Sequence, residues 1–226
     1  MKAAIGWFKK QFQDGINAAV KDTPFHLDFL TALALQECYE VWGRAYKTKT
    51  VPEVLQLCTG DIIDAGGGRD PNAFPQNRAV LERAPNGTQM FQIARQAFED
   101  MAQIATEYQK YLKNSNKFCH AFGIFQYDIQ AFPHDSDYFL NKDWGDFSKC
   151  LGKCLMELHV AWGKTYPGRN KLSDTQLIYV AIAYNKGSAD ITKSIKQGFK
   201  AKGDPKYYGE YIRDYMALSE ATPAAA

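Results

Sequence analysis

The 226-residue sequence contains no run of the roughly 18 consecutive apolar residues that a membrane-spanning helix needs, so no membrane span is expected. It also lacks a bias toward one sign of charge. Lys and Arg number 27 against 25 Asp and Glu, a net charge of +2. A nucleic-acid footprint requires a clustered basic face, and this near balance offers none. Cysteine is scarce: Cys38, Cys58, Cys119, Cys150 and Cys154 are odd in number and irregular in spacing. That excludes a full disulfide framework and leaves room for one or two bridges. The N-terminus does not build the apolar core of a signal peptide, because Lys9 and Lys10 directly follow Ile5-Gly6-Trp7-Phe8. Gly66-Gly67-Gly68-Arg69-Asp70 has no Gly-Lys-Ser/Thr and is not a P-loop. Cys150 and Cys154 lie one helical turn apart, but no second ligand pair at matched spacing completes a zinc site. No metal or cofactor is expected, and no internal repeat is present.

What the chain does have is an ordinary globular balance, 46% hydrophobic and 23% charged, with 14% aromatic residues. So many rings suit a thick core, and equally a cleft that stacks on sugar rings. Most of the sequence carries helical periodicity. Phe12, Ile16, Ala19 and Val20 mark one helix over 12–20, which Asp22-Thr23-Pro24 breaks. A second, from about His26 to Tyr46, is the most apolar. A short helix is expected around 52–58, a long amphipathic one over 89–113, and another over 143–163. Ser173 with Gln176 forms a capping box that opens a further helix, stopped by Asn185-Lys186-Gly187. A short helix is expected over 189–197 and a final one over 206–218. Residues 47–88, rich in Gly and Pro, read as a long functional loop. The fold class is therefore mainly α, a single domain over 1–218 with little or no sheet, followed by a linker-like tail over 219–226.

Three segments stand out chemically. Glu37 shares a helix face with Leu30, Leu33, Ala34 and Val41. A carboxylate on an apolar face is paired, protonated or functional. Arg44 and Lys47 offer ionic partners. Without one, burial raises its pKa and keeps it an acid near neutral pH. The second segment, Gly123-Ile124-Phe125-Gln126-Tyr127, combines a glycine that admits close backbone approach with an amide that donates and accepts. By itself it is also a plausible buried aromatic turn. The third, Ala183-Tyr184-Asn185-Lys186-Gly187, puts a phenol and an amide at a helix end that equally reads as a C-cap.

In this order, the three segments resemble the soluble lytic transglycosylases and goose-type lysozymes, family 23 glycosidases of the lysozyme-like superfamily. Their pattern is Glu-Ser, then Gly-Leu-Met-Gln-Ile, then Ala-Tyr-Asn-Ala-Gly. The resemblance spans roughly residues 27–190. It implies a lysozyme-like fold with a long inserted loop and helix, and cleavage of a β-1,4-linked amino-sugar polymer, peptidoglycan. Glu37 would protonate the leaving oxygen. Gln126 and the backbone near Phe125 would hold the sugar, with Gly123 and Tyr127 in the same binding segment. Tyr184 would bond to Glu37 or to substrate, and Asn185 would shape the cleft.

Two departures matter. Cys38 replaces the usual Ser, and the gap between Glu37 and Gly123 is unusually long. The insert carries Asp61 and Asp64, which serve either as loop caps or as a second carboxylate. A second carboxylate about 6.5–9.5 Å from the acid leaves room for an attacking water. The clustered acids favour hydrolysis to reducing ends. Without them the substrate's 6-hydroxyl would attack and leave 1,6-anhydro ends. Arg69 and Arg78 could meet an anionic substrate or form surface pairs. Alternatives on the same scaffold are a chitinase- or chitosanase-type hydrolase and a non-catalytic glycan-binding module. The expected partner is a polysaccharide met by a monomeric chain. The substrate implies a secreted, periplasmic or cell-wall location.

Overall fold

The apolar periodicities fold as helices. The structure, a computed structural model, describes residues 1–63 and 73–225. In chain order it runs α1 (Lys2–Ala19), α2 (Leu27–Ala45), α3 (Val51–Leu57), β1 (Thr59–Ile63), α4 (Arg78–Glu82), α5 (Gly87–Ile104), β2 (Phe118–Phe122), β3 (Tyr127–Asp128), α6 (Ser136–Leu140), α7 (Phe147–Thr165), α8 (Asp174–Lys186) and α9 (Tyr208–Glu220). The chain is mainly helical, and a small antiparallel sheet in the order β1-β2-β3 is added. Among the described residues no helix is long and apolar enough to cross a membrane. Asp64 and the Gly66–Gly68 triplet lie outside the described residues.

Two compact units divide the chain. One consists of Met1–Glu37 and Leu151–Ala226, the other of Cys38–Cys150. In the first, α1 buries Ile5, Phe8, Phe12 and Ile16 at helical spacing. The capping box of α8 forms as the sequence implies, with Ser173 N–H donating to Gln176 Oε1 at 2.9 Å. The helix expected over 189–197 does not form. Asp190 Oδ1 accepts from the Thr192 N–H and hydroxyl, and the Gln197 side chain bonds Asp190 N and O and Ser194 O. These side-chain bonds take up backbone groups that a helix would otherwise pair.

In the second unit, β2 pairs with β1 so that Thr59 faces Phe122 and Ile62 faces Cys119, and β3 sets Tyr127 against Phe122. The sheet is small, in keeping with the expectation of little or none. All five residues of β2 are buried, so the strand carries no apolar–polar alternation for the sequence to reveal. The helix expected over 89–113 ends at Ile104 and continues only as a 3-10 turn, Thr106–Tyr111. Arg95 secures the following turn by donating to the carbonyls of Leu112, Asn114 and Lys117. All five cysteines are free, buried thiols.

The segment that composition marks as a linker is held against α1. Ala225 N–H donates to Gly6 O at 2.9 Å. Buried Lys9 anchors the end of α9, donating to Ser219 O at 2.6 Å and Thr222 O at 2.8 Å. It also pairs with Asp28 at 2.6 Å, and Ser219 Oγ donates to the same carboxylate oxygen. The three ammonium protons are thus all used, and a cation meets carbonyls at a helix C-terminus, where the dipole favours it. Breaking such a buried pair leaves a charge uncompensated. Lys9→Met is expected to lower unfolding free energy by about 3 kcal/mol. The double variant Lys9→Met with Asp28→Leu should recover most of that loss. Denaturant unfolding of the two variants checks both.

Candidate active site

Helix α2 enters its first unit almost entirely buried, with Phe29, Leu30, Ala32, Leu33 and Ala34 excluded from solvent. Glu37 follows on the same helix. The residue keeps partial exposure, yet its carboxyl is desolvated, and this burial raises its pKa to about 7. One hydrogen bond opposes the rise: Tyr208 Oη donates to Glu37 Oε1 at 2.5 Å. Among the described residues no cation pairs with Glu37. Arg44 instead clasps Glu107 with two hydrogen bonds, of 2.7 and 2.8 Å, and Lys47 lies over the Tyr46 ring. Burial and Glu37 together hold the Tyr208 phenol well above its ordinary pKa, so it remains a donor. The folded chain holds the Glu37 proton more tightly than an unfolded chain does. Glu37 therefore supports folding fully below the ordinary carboxylate pKa, and that support fades as pH rises toward 7, by up to about 3 kcal/mol.

Tyr208 is set in place by the loop between α8 and α9. It is the first residue of α9, whose leading N–H groups need partners outside the helix. Phe199 O accepts from Tyr208 N–H at 3.0 Å and Gln197 O from Gly209 N–H at 3.1 Å. Two glycines permit this approach. A Cβ on Gly198, where φ is +86°, would lie 2.6 Å from Tyr208 Cβ, and one on Gly209 would lie 2.4 Å from Ile195 O. Asn185, expected to shape the cleft, braces this loop, its Oδ1 accepting from Phe199 N–H at 2.9 Å. Gly187, with φ +83°, supplies the cap of α8. Tyr184 is half-buried in the last turn of α8; the phenol bonded to Glu37 is that of Tyr208. Sequence reasoning missed Tyr208. Its available signal was the run Tyr207-Tyr208-Gly209-Glu210 at the start of a helix, where Tyr207 and Glu210 form a capping box.

The remaining candidates belong to the second unit. Gly123-Ile124-Phe125-Gln126 is the loop joining β2 to β3. Gly123 has φ +85°, and a Cβ there would meet Cys150 Sγ at 2.5 Å. Gln126 is left-handed at φ +58°. Its N–H and its Nε2 both donate to Gly123 O, at 2.9 and 2.7 Å, which locks the turn. Gln126 Oε1 sits 2.6 Å from the point a Cβ on Gly60 would occupy, so Gly60 makes room for the amide. Asp61, next along β1, is exposed and also left-handed, at φ +47°. Such backbone outliers cluster at functional sites. Phe125 is buried with its ring 6.1 Å from that of Phe147. Tyr127 is buried too, stacked on Phe139 at 5.6 Å. Arg78 pairs with Glu82 at 2.9 Å and covers the Phe91 ring. A cavity of about 360 Å³ in this unit is lined by Lys49, Glu53, Ile93, Asp100, Lys142 and Trp144 among others, and none of the sequence candidates lines it. Among the described residues no group of three or more His, Cys, Asp or Glu is arranged to hold a metal.

A desolvated carboxyl whose pKa lies near neutrality, with one oxygen fixed by a phenol, can deliver a proton from the other. Because the Tyr208 bond lowers the Glu37 pKa, Tyr208→Phe should move it further up. Carbon-13 NMR titration of labelled glutamate should show Glu37 titrating near pH 7 in the native chain and higher in the variant.

The chain matches no family model, no curated protein and no solved structure, so its functional reading rests on the chemistry of the site itself.

Proposed function

We propose that the chain is a lysozyme-like glycosidase that cleaves a β-1,4-linked amino-sugar polymer, peptidoglycan, with Glu37 as the general acid. The observation that carries this reading is the desolvated Glu37 carboxyl, which among the described residues has no cationic partner and is held by Tyr208 at 2.5 Å. A merely structural carboxylate would be expected to carry a cation or several backbone donors. Glu37 has one phenol, which orients it without neutralising it.

In this scheme the glycosidic oxygen takes the Glu37 proton as the bond to the sugar ring breaks. The ring then carries positive charge that a nucleophile must quench. Attack by water leaves hydrated reducing ends. The substrate places this chemistry in the periplasm, in the cell wall or outside the cell.

Glu37→Gln retains an acceptor for Tyr208 and should keep the fold while lowering cleavage of a peptidoglycan suspension by about 100-fold or more. Native activity should fall as pH rises past about 7, because only the protonated acid works. Turbidity loss measured from pH 4 to 9 for both proteins tests this. Undiminished clearing by Glu37→Gln would overturn the assignment.

A further inference from the structure

Phe199 has the highest exposure of the large hydrophobic side chains among the described residues, at 68%. Its backbone is nevertheless held on both sides. The N–H donates to Asn185 Oδ1 at 2.9 Å, and the carbonyl accepts from Tyr208 N–H at 3.0 Å. A single exposed ring on a loose loop would need no explanation. Here a fixed backbone presents the phenyl outward, and it does so from the residue that also anchors the partner of Glu37.

Within residues 196–202 the charged side chains are Lys196, Lys200 and Lys202, with acidic Asp190, Asp204 and Asp214 outside that stretch. Lys193 and Lys206 of the same loop pair with Asp190 at 3.1 Å and Asp214 at 2.5 Å. Lys196 and Lys202 are exposed and have no acidic partner among the described residues. Lys200 Nζ lies over the Tyr207 ring at 4.8 Å. The segment therefore offers one apolar ring flanked by ammonium groups. A sugar ring offers the complement, an apolar C–H face, when it also bears carboxylates.

We propose that the loop over 196–202 binds a carboxylated amino-sugar strand. The sugar face lies against Phe199, and carboxylates on the sugar or its short peptide branches meet Lys196, Lys200 and Lys202. This rests on the glycosidase reading and names the class of substrate that the Glu37 site takes. Because the ammonium groups are exposed, their part of the attraction is screened by salt.

The test uses the full chain carrying Glu37→Gln, which binds without cutting, in co-sedimentation with purified peptidoglycan. Chitin serves as the neutral amino-sugar polymer, and phosphatidylglycerol vesicles as a non-sugar anionic surface. The parent should sediment with peptidoglycan in preference to chitin or vesicles, and less so at high salt. Adding Phe199→Ala should weaken binding by about fivefold. Adding Lys196→Gln with Lys202→Gln should weaken it and flatten the salt dependence. Thermal melts should match the parent, since these side chains are exposed. Unchanged affinity in both variants, equal binding to chitin, or preference for the vesicles would overturn the inference. If both variants bind as the parent does while Glu37→Gln still abolishes cleavage, the loop assignment fails and the glycosidase reading stands. If the native chain neither cuts nor sediments with either polymer, both fail.

Discussion

A carboxyl drawn out of water at Glu37 constrains the unit around it. Removing a carboxylate from water is costly unless it is paired or protonated, and the cost appears here as a pKa near 7. Among the described residues the group that bonds it is the Tyr208 phenol, which comes from the opposite end of the sequence, 171 residues away. The rest of that unit supplies the approach. Lys9 and Asp28 tie the C-terminal end of α9 to α1 and α2. Gly198 and Gly209 let the preceding loop close onto its N-terminal end. Asn185 fixes that loop to α8.

The second unit is organised around a different constraint, an aromatic core beneath a short sheet. Phe122 packs against Phe139 and Trp144, and Tyr127 stacks on Phe139. The turn that connects β2 to β3 keeps Gln126 in a left-handed conformation by spending its own side-chain amide on Gly123 O. Asp61, one residue beyond the glycine that accommodates Gln126, is left-handed as well. Asn and Asp tolerate that region better than other residues bearing a Cβ, but in a strand it still departs from the regular ladder.

The parts of this structure legible in the sequence are those written in local spacing. The burial of Leu30, Leu33, Ala34 and Val41, the capping box of Ser173 and Gln176, and the glycine stop at Gly187 depend on residues a few positions apart. Glu37 was legible for the same reason, as a carboxylate on an apolar face. Other features are not local. A strand buried on both faces, like β2, looks like any apolar run. The loop after α8 has helical composition, yet the side chains of Asp190 and Gln197 capture its backbone. Tyr208 could be matched to Glu37 only by knowing how α9 docks. The final residues, small and polar in composition, are fixed by Lys9 and Gly6, neither of which announces that role.

The central claim is that this chain breaks a glycosidic bond, and the chemistry of the fragments tests it most directly. Purified peptidoglycan would be digested with the native chain and the soluble products analysed by mass spectrometry. Saccharide fragments that differ by whole disaccharide repeats are expected, with intact peptide branches and hydrated reducing ends. Masses lower by one water would retain glycosidic cleavage but replace attack by water with attack by the sugar's own hydroxyl. Peptides stripped of sugar, or the absence of soluble fragments at any pH between 4 and 7, would contradict the account.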